Sequence, residues 1–278
     1  MRPTLFSSGF FWSGLLCLTL FAALAAGQSA TGAKPSRPEK LLGTWKQLPP
    51  EQATTMKIEA EAGGGIKVSY GCKKDGSCAS SVAGNYDGKS SKFSDNASWE
   101  ASFRKLGNGT VQQDTYFHGK LDNTDKCQVS TDRNTLTVTN QMVSHPGSKI
   151  MRYVYDRNGG PVSNDDPLIG LWKRNWDKSD ADVVTFRAKG DVFTITDPSG
   201  ITDERQCDGK DHPSKFLEGV LYSCGLPDKH TYEVVLKDRG KVVNTISSKI
   251  SEDGKKMVRT VKDGEGKTMS ELRFEKVD

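Results

Sequence analysis

The stretch Leu42-Gly43-Thr44-Trp45-Lys46 recurs later in the chain as Ile169-Gly170-Leu171-Trp172-Lys173. Further short matches follow in the same order: Tyr86-Asp87-Gly88-Lys89 returns as Cys207-Asp208-Gly209-Lys210, and Ser130-Thr131-Asp132 returns as Ser251-Glu252-Asp253. Both of these later pairs have a spacing of 121 residues (207 − 86 and 251 − 130). Ordered matches at a fixed spacing indicate an internal repeat of one structural unit.

The repeat divides the chain into two units. Unit 1 covers residues 40–157 and unit 2 covers residues 168–278, and they are separated by a linker at 158–167 that is rich in Gly, Pro, Asn and Asp. Such a composition is typical of turns and has no apolar face to bury. Residues 26–39 are predicted to be a flexible N-terminus.

Residues 1–25 have the pattern of a secretory signal peptide. Arg2 is followed by an apolar run from Phe10 to Leu24, and Ala23-Leu24-Ala25 provides a small-x-small cleavage site. A membrane anchor is the competing interpretation, but the run is shorter than the roughly 20 residues that span a bilayer. We therefore expect a secreted or periplasmic protein without a membrane span after cleavage.

Within each unit, apolar residues alternate with polar ones over short runs, which is the period of a half-buried strand. Turn sequences such as Asp75-Gly76 and Asp253-Gly254 separate the runs. The predicted fold class is all-β, with two tandem antiparallel up-and-down units of about eight to nine short strands each. Each unit is expected to close into a small barrel or to curl into a strongly bent sheet, because an open sheet leaves two exposed edges.

The Gly-x-Trp that opens both units resembles the first strand of the lipocalin and fatty-acid-binding superfamily. The central Asp208-Gly209-Lys210 and the later Ser251-Glu252-Asp253-Gly254-Lys255 are similar to the secreted lipocalin-like domain proteins of bacteria. The resemblance implies a barrel more firmly than a function. The Arg-x-Tyr pair with which fatty-acid-binding relatives hold a carboxylate is not matched, because Tyr153 and Leu272 stand where the Arg belongs.

Composition and motifs argue against several classes of function. The charges, 39 Lys and Arg against 35 Asp and Glu, are scattered, which disfavours nucleic acid as a partner. The four His residues show no metal-binding spacing, and no nucleophile elbow or phosphate-binding loop is present. We expect no enzyme activity, no catalytic residues, no metal and no cofactor.

Five cysteines follow the signal peptide. Cys72 and Cys78 flank a turn sequence and are predicted to form one disulfide. Cys207 and Cys224 fall, at the offset of 121, on Tyr86 and Phe103, and we predict that they form the second. Cys127 is left without a mate, and it is either a reactive or dimerising thiol or a buried inert one.

Two functions remain open from the sequence. The first is an exported, non-enzymatic protein that binds a small apolar ligand in one or both units; the alternative is a structural or protein-interaction module of the cell envelope with a filled core. Trp45 and Trp172 are interpreted as core residues that close the barrels or, alternatively, as ligand contacts. The full set of residues predicted to line a ligand is Trp45, Met56, Ile58, Ile66, Val68, Tyr70, Trp172, Phe193, Ile195, Tyr232, Val234 and Leu236.

Overall fold

A computed structural model describes residues 39–50, 55–95, 98–107, 109–163 and 165–277. The predicted signal peptide and nearly all of the predicted flexible N-terminus lie outside these residues. The described part is built from strands, with one short 3-10 turn at Glu39–Leu41. It contains no helix that is long and apolar enough to cross a membrane.

The described residues form twenty strands. The first ten are β1 Gly43–Gln47, β2 Thr55–Glu61, β3 Gly65–Cys72, β4 Ser80–Gly84, β5 Ser91–Lys92, β6 Trp99–Gly107, β7 Thr110–Phe117, β8 Lys120–Val129, β9 Thr135–Met142 and β10 Met151–Arg157. The other ten are β11 Gly170–Asn175, β12 Val183–Lys189, β13 Val192–Thr196, β14 Thr202–Gln206, β15 Asp211–Pro213, β16 Val220–Asp228, β17 Thr231–Asp238, β18 Lys241–Ile250, β19 Lys256–Asp263 and β20 Thr268–Lys276.

The strands form two antiparallel sheets that are nearly closed, so the predicted all-β fold of two small barrels is confirmed. The first barrel has the order β4-β3-β2-β11-β10-β9-β8-β7-β6-β5, and the second has the order β14-β13-β12-β1-β20-β19-β18-β17-β16-β15. Each contains ten strands where eight or nine were predicted. The short strands β5 and β15, of two and three residues, leave little trace in the sequence pattern.

The two barrels do not coincide with the two sequence units, because the opening strands are exchanged. Strand β1 belongs to unit 1 but pairs with β12 and β20 in the second barrel, where Trp45 lies opposite Val184 and Lys276. Strand β11 belongs to unit 2 but pairs with β2 and β10 in the first barrel, where Trp172 lies opposite Met56. Each barrel therefore takes its opening strand from the other unit.

The predicted linker holds β11 close to β10. The Arg157 guanidinium donates hydrogen bonds to the carbonyls of Pro167 and Ile169, each at 2.8 Å, and lies 4.2 Å from the centre of the Trp172 ring. Gly170 has a φ of 149°, and a Cβ there would collide with Arg157. The glycine of this Gly-x-Trp motif thus provides space for the arginine that fixes the turn.

The two motif tryptophans have the same environment in the two barrels. Trp45 and Trp172 are both completely buried, and their indole N–H groups donate to the carbonyls of Leu41 and Leu168, both at 2.7 Å. A buried indole that finds a hydrogen-bond partner closes an apolar core without leaving a polar group unpaired. Both are core residues of the barrel in which they lie.

Both predicted disulfides are confirmed. Cys72, the last residue of β3, pairs with Cys78, and Cys207 pairs with Cys224 on β16. The second disulfide connects the end of β14 to β16, and a hydrogen bond from Gly209 N to Cys224 O, at 2.9 Å, lies beside it. Both cross the seam of the second barrel, which is the opening between its two edge strands. Among the cysteines that the structure describes, Cys127 has no disulfide partner.

Phenylalanine in place of each tryptophan tests the exchange. Trp45→Phe removes a buried hydrogen bond and leaves a small void, so it should destabilise its barrel by about 1–2 kcal/mol. Amide hydrogen exchange should then accelerate in β12 and β20 more than in β2 and β10. Trp172→Phe is the matched control and should show the reverse pattern; faster exchange of β2 in Trp45→Phe would contradict the exchanged topology.

Candidate functional site in the first barrel

The first barrel encloses a small cavity of about 20 Å³. Five of the residues predicted from sequence to line a ligand lie around it, namely Met56, Ile58, Ile66, Val68 and Tyr70. The other residues of its wall are Phe103, Val111, Gln113, Asp125, Cys127, Val138, Tyr155 and Leu168. The strand alternation thus brings together the predicted lining residues of unit 1, with the exception of Trp45.

The predicted lining residues of unit 2, with the exception of Trp172, lie in the core of the second barrel. Phe193, Ile195, Tyr232 and Val234 are buried in the second barrel with Trp45, and the partly buried Leu236 packs against them. Trp172, predicted to belong with this set, lies instead in the core of the first barrel. The strand exchange therefore separates each tryptophan from the lining residues of its own unit.

A layer of three polar side chains crosses the interior of the first barrel. Gln113 on β7 lies opposite Asp125 on β8, and Asp125 lies opposite Asn140 on β9. The Asn140 amide donates to Asp125 Oδ1 at 2.7 Å, and the Tyr70 hydroxyl donates to Gln113 Oε1 at 2.9 Å. These hydrogen bonds connect the polar layer to the cavity wall.

Asp125 is the least satisfied member of this layer. It is 1% exposed, and within the described chain its Oδ2 atom has no hydrogen-bond partner. Burial raises the pKa of Asp125 to about 7; the Asn140 hydrogen bond opposes the shift and the charge of Asp114 adds to it. Near neutral pH the carboxyl group is therefore partly protonated.

Cys127 follows Asp125 on the inner face of β8. Burial raises the pKa of its thiol well above the ordinary value, and the nearby charge of Asp125 raises it further. Reactive cysteines have the opposite environment, in which positive charge stabilises the thiolate. Of the two interpretations of Cys127, this environment favours the inert thiol.

The second barrel also has a polar layer, but it lies one layer away from the position of the polar layer in the first barrel. At the positions of Gln113, Asp125 and Asn140 its matching strands carry three apolar residues. Its polar layer lies two residues earlier on β17 and β19 and two residues later on β18. The apolar residues are Val234, Ile246 and Val261, and the polar ones are Tyr232, Ser248 and Arg259. The two copies of the fold therefore have different interiors.

Arg259 is the central charge of the second interior. Its Nε donates to Ser248 Oγ at 3.2 Å, and its guanidinium lies 5.2 Å from the Phe274 ring centre. Burial lowers the pKa of Arg259 to about 10, with the charge of Arg205 contributing. Arg205 itself pairs with Asp203 at 2.6 Å.

Sequence reasoning missed both polar layers. Only apolar and aromatic residues were predicted to line the interior, yet Asn123, Asp125 and Cys127 lie on the inner face of β8. The available signal was the 121-residue offset, which aligns Asp125 with Ile246 and so marks it as a polar residue at an apolar position. In the described ranges, no group of three His, Cys, Asp or Glu side chains is placed to hold a metal ion.

Comparison with known proteins adds no assignment: no protein-family model matches the chain, and no curated protein matches it. The resemblance to lipocalin-like proteins therefore remains a prediction from short motifs.

The raised pKa of Asp125 predicts a specific pH dependence of stability. Between the unfolded-state pKa near 4 and the folded-state pKa near 7, the folded protein binds more protons than the unfolded chain, so stability falls as pH rises. Asp125→Asn keeps the shape and removes the charge. Relative to wild type it should gain about 3–4 kcal/mol between pH 4 and pH 8.

The measurement is urea unfolding at a series of pH values. Asp177→Asn, which removes an exposed carboxylate, is the matched control and should leave the wild-type profile in place. A constant difference between Asp125→Asn and wild type from pH 4 to pH 8 would show that Asp125 is not desolvated in the folded protein.

Proposed function

We propose that this chain is an exported, non-enzymatic structural or protein-interaction module of the cell envelope, whose barrels are filled by their own side chains. The observation that carries the proposal is the size of the cavity in the first barrel. At about 20 Å³ it has room for one water molecule. Sites for small organic ligands typically have about 300 Å³ or more.

The chemistry of the cavity supports the same conclusion. Asp125 contributes to its wall with a carboxylate oxygen that has no partner in the described structure. An apolar ligand at this place would desolvate that oxygen without pairing it, which costs free energy. One ordered water would pair it instead.

Contacts with other proteins would then use the outer surface. A solvent-open groove of about 450 Å³ lies at the seam of the first barrel, where the edge strands β4 and β5 approach each other. Its lining is mostly polar and includes Glu61, Asn85, Asp87 and Lys89. A polar, hydrated groove suits a hydrophilic partner surface better than a lipid.

Export is supported by two observations. The two disulfides belong to a chemistry that persists in oxidising compartments. The sequence of residues 1–25 has the signal-peptide pattern described above. Both observations support a secreted or periplasmic location.

The alternative function, binding of a small apolar molecule, draws support from the apolar part of the same cavity. Met56, Ile58 and Val68 form a continuous patch of its wall. Occupation by a lipid-sized ligand would require the packed side chains around this patch to move apart.

Native mass spectrometry distinguishes the two functions. The protein purified from an exporting host, with its disulfides intact, is incubated with a lipid extract and its native mass is compared with its denatured mass. The filled-barrel proposal predicts equal masses. A native excess of a few hundred daltons that disappears on denaturation would contradict the proposal and support the ligand-binding function.

Phe103→Ala provides the positive control. Phe103 is 1% exposed and lines the cavity, so truncation opens a larger apolar space. Engineered apolar cavities of about 150 Å³ bind benzene-sized molecules. The variant should therefore gain affinity for a small aromatic probe that wild type does not bind, which shows that the assay detects an interior ligand.

A further inference from the structure

The second barrel is incomplete without β1. Residues Gly43 to Lys46 pair with β12, and residues Trp45 to Gln47 pair with β20. Hydrogen bonds from Gln47 N to Asp182 O and from Leu48 N to Arg273 O, both 2.8 Å, extend the contact beyond the strand. Removal of β1 would expose two strand edges and the pocket that the Trp45 ring fills.

Every strand partner of β1 lies in the C-terminal part of the chain, after residue 182. In the other direction, β1 continues through residues 48–54 into β2, which belongs to the first barrel. Strand β1 and the slot that it fills, which is the gap between β12 and β20, are thus distant in sequence. None of the pairing contacts requires that both come from the same copy of the chain.

The other exchanged strand is more firmly held. Strand β11 is joined to β10 by a turn in which Arg157 binds Pro167 and Ile169, and Asn158 N donates to Leu171 O at 2.7 Å. Pro49 and Pro50, which follow Leu48 after the end of β1, have no N–H to donate to a comparable ladder with β2. Of the two opening strands, β1 is therefore the one that can be passed to another molecule.

We propose that β1 of one copy closes the second barrel of another copy, and that two copies do so reciprocally to form a strand-exchanged dimer. In this dimer each β1 and each slot is used once, so the assembly is closed and has two-fold symmetry. All contacts of the monomer are retained, including the Trp45 hydrogen bond to Leu41. Monomer and dimer then differ mainly in the entropy of linking the strand to its slot.

That entropy makes the dimer depend on concentration. The covalent connection through the first barrel keeps the strand of the same chain near its slot at a raised effective concentration, so dilute protein remains monomeric. Refolding at high protein concentration lets strands meet slots of other copies. Once formed, the dimer should persist after dilution, because return to the monomer requires the barrel to open.

A heterodimer cross-link tests the proposal. Thr44 and Thr185 are cross-strand partners whose hydroxyl oxygens lie 3.3 Å apart. Chains carrying Thr44→Cys and chains carrying Thr185→Cys, both with Cys127→Ser, are mixed in denaturant and refolded together at high concentration and mildly acidic pH, where thiol exchange is slow. Oxidation should then double the mass of a large fraction, and peptide mapping should find residue 44 joined to residue 185.

In the matched control, a Lys57→Cys chain takes the place of the Thr185→Cys chain. Lys57 on β2 pairs with Leu171 of β11, so a Lys57→Cys chain offers no thiol to an incoming β1. Absence of the heterodimer, or equal yields with Thr185→Cys and Lys57→Cys, would overturn the proposal. Light scattering on unmodified wild type, refolded at low and at high concentration, checks that the substitutions do not create the dimer. Neither measurement involves the barrel interior, so failure here leaves the filled-barrel function untouched.

Discussion

Neighbouring strands in a sheet lie about 4.8 Å apart, so the strands on either side of a missing one are about 10 Å apart and cannot bond to each other. In this protein the missing strand is supplied to each barrel by the other sequence unit. Strand β1 joins β12 to β20, and β11 joins β2 to β10. The buried Trp45 and Trp172 complete the cores only when these strands are in place.

The exchange makes the two barrels depend on each other. The chain passes between the barrels after β1 and again after β11, and the second passage is fixed by a buried ion pair of 2.8 Å between Arg174 and Asp182. The Arg174 guanidinium also lies 4.0 Å from the Trp176 ring centre and 4.6 Å from that of Tyr153. Loss of one partner of a buried pair leaves an uncompensated charge, so this contact resists separation of the barrels.

The two barrels have the same arrangement of strands but different side chains in their interiors. The layer that contains Asp125 in the first barrel is apolar in the second, where the polar layer with Arg259 lies one inward position away. One interior thus carries a titrating acid and the other the half-buried guanidinium of Arg259, with little empty space around the first. This combination fits two packed cores better than two copies of one ligand site.

The repeat, the turns and the disulfides could be predicted from the sequence because each depends on local chemistry or on a fixed offset. The exchange could not, because β1 and β11 share the motif Gly-x-Trp-Lys and the pattern does not say which slot each strand fills. The polar layer was missed for a related reason: alternation defines two faces of β8 but does not show that Asp125 lies on the inner one. The short edge strands β5 and β15 are below the length at which alternation can be recognised.

Intrachain disulfide trapping tests the exchanged topology most directly. Two double variants are prepared with Cys127→Ser and folded at low concentration: Thr44→Cys with Thr185→Cys, and Thr44→Cys with Lys57→Cys. Lys57 is the residue that Thr44 would face if β1 paired within its own unit, because Leu171 faces Lys57 from the matching position of β11. The exchanged structure predicts that the first pair oxidises rapidly within a monomer and the second does not; rapid oxidation of the second pair would show that each unit closes on its own opening strand.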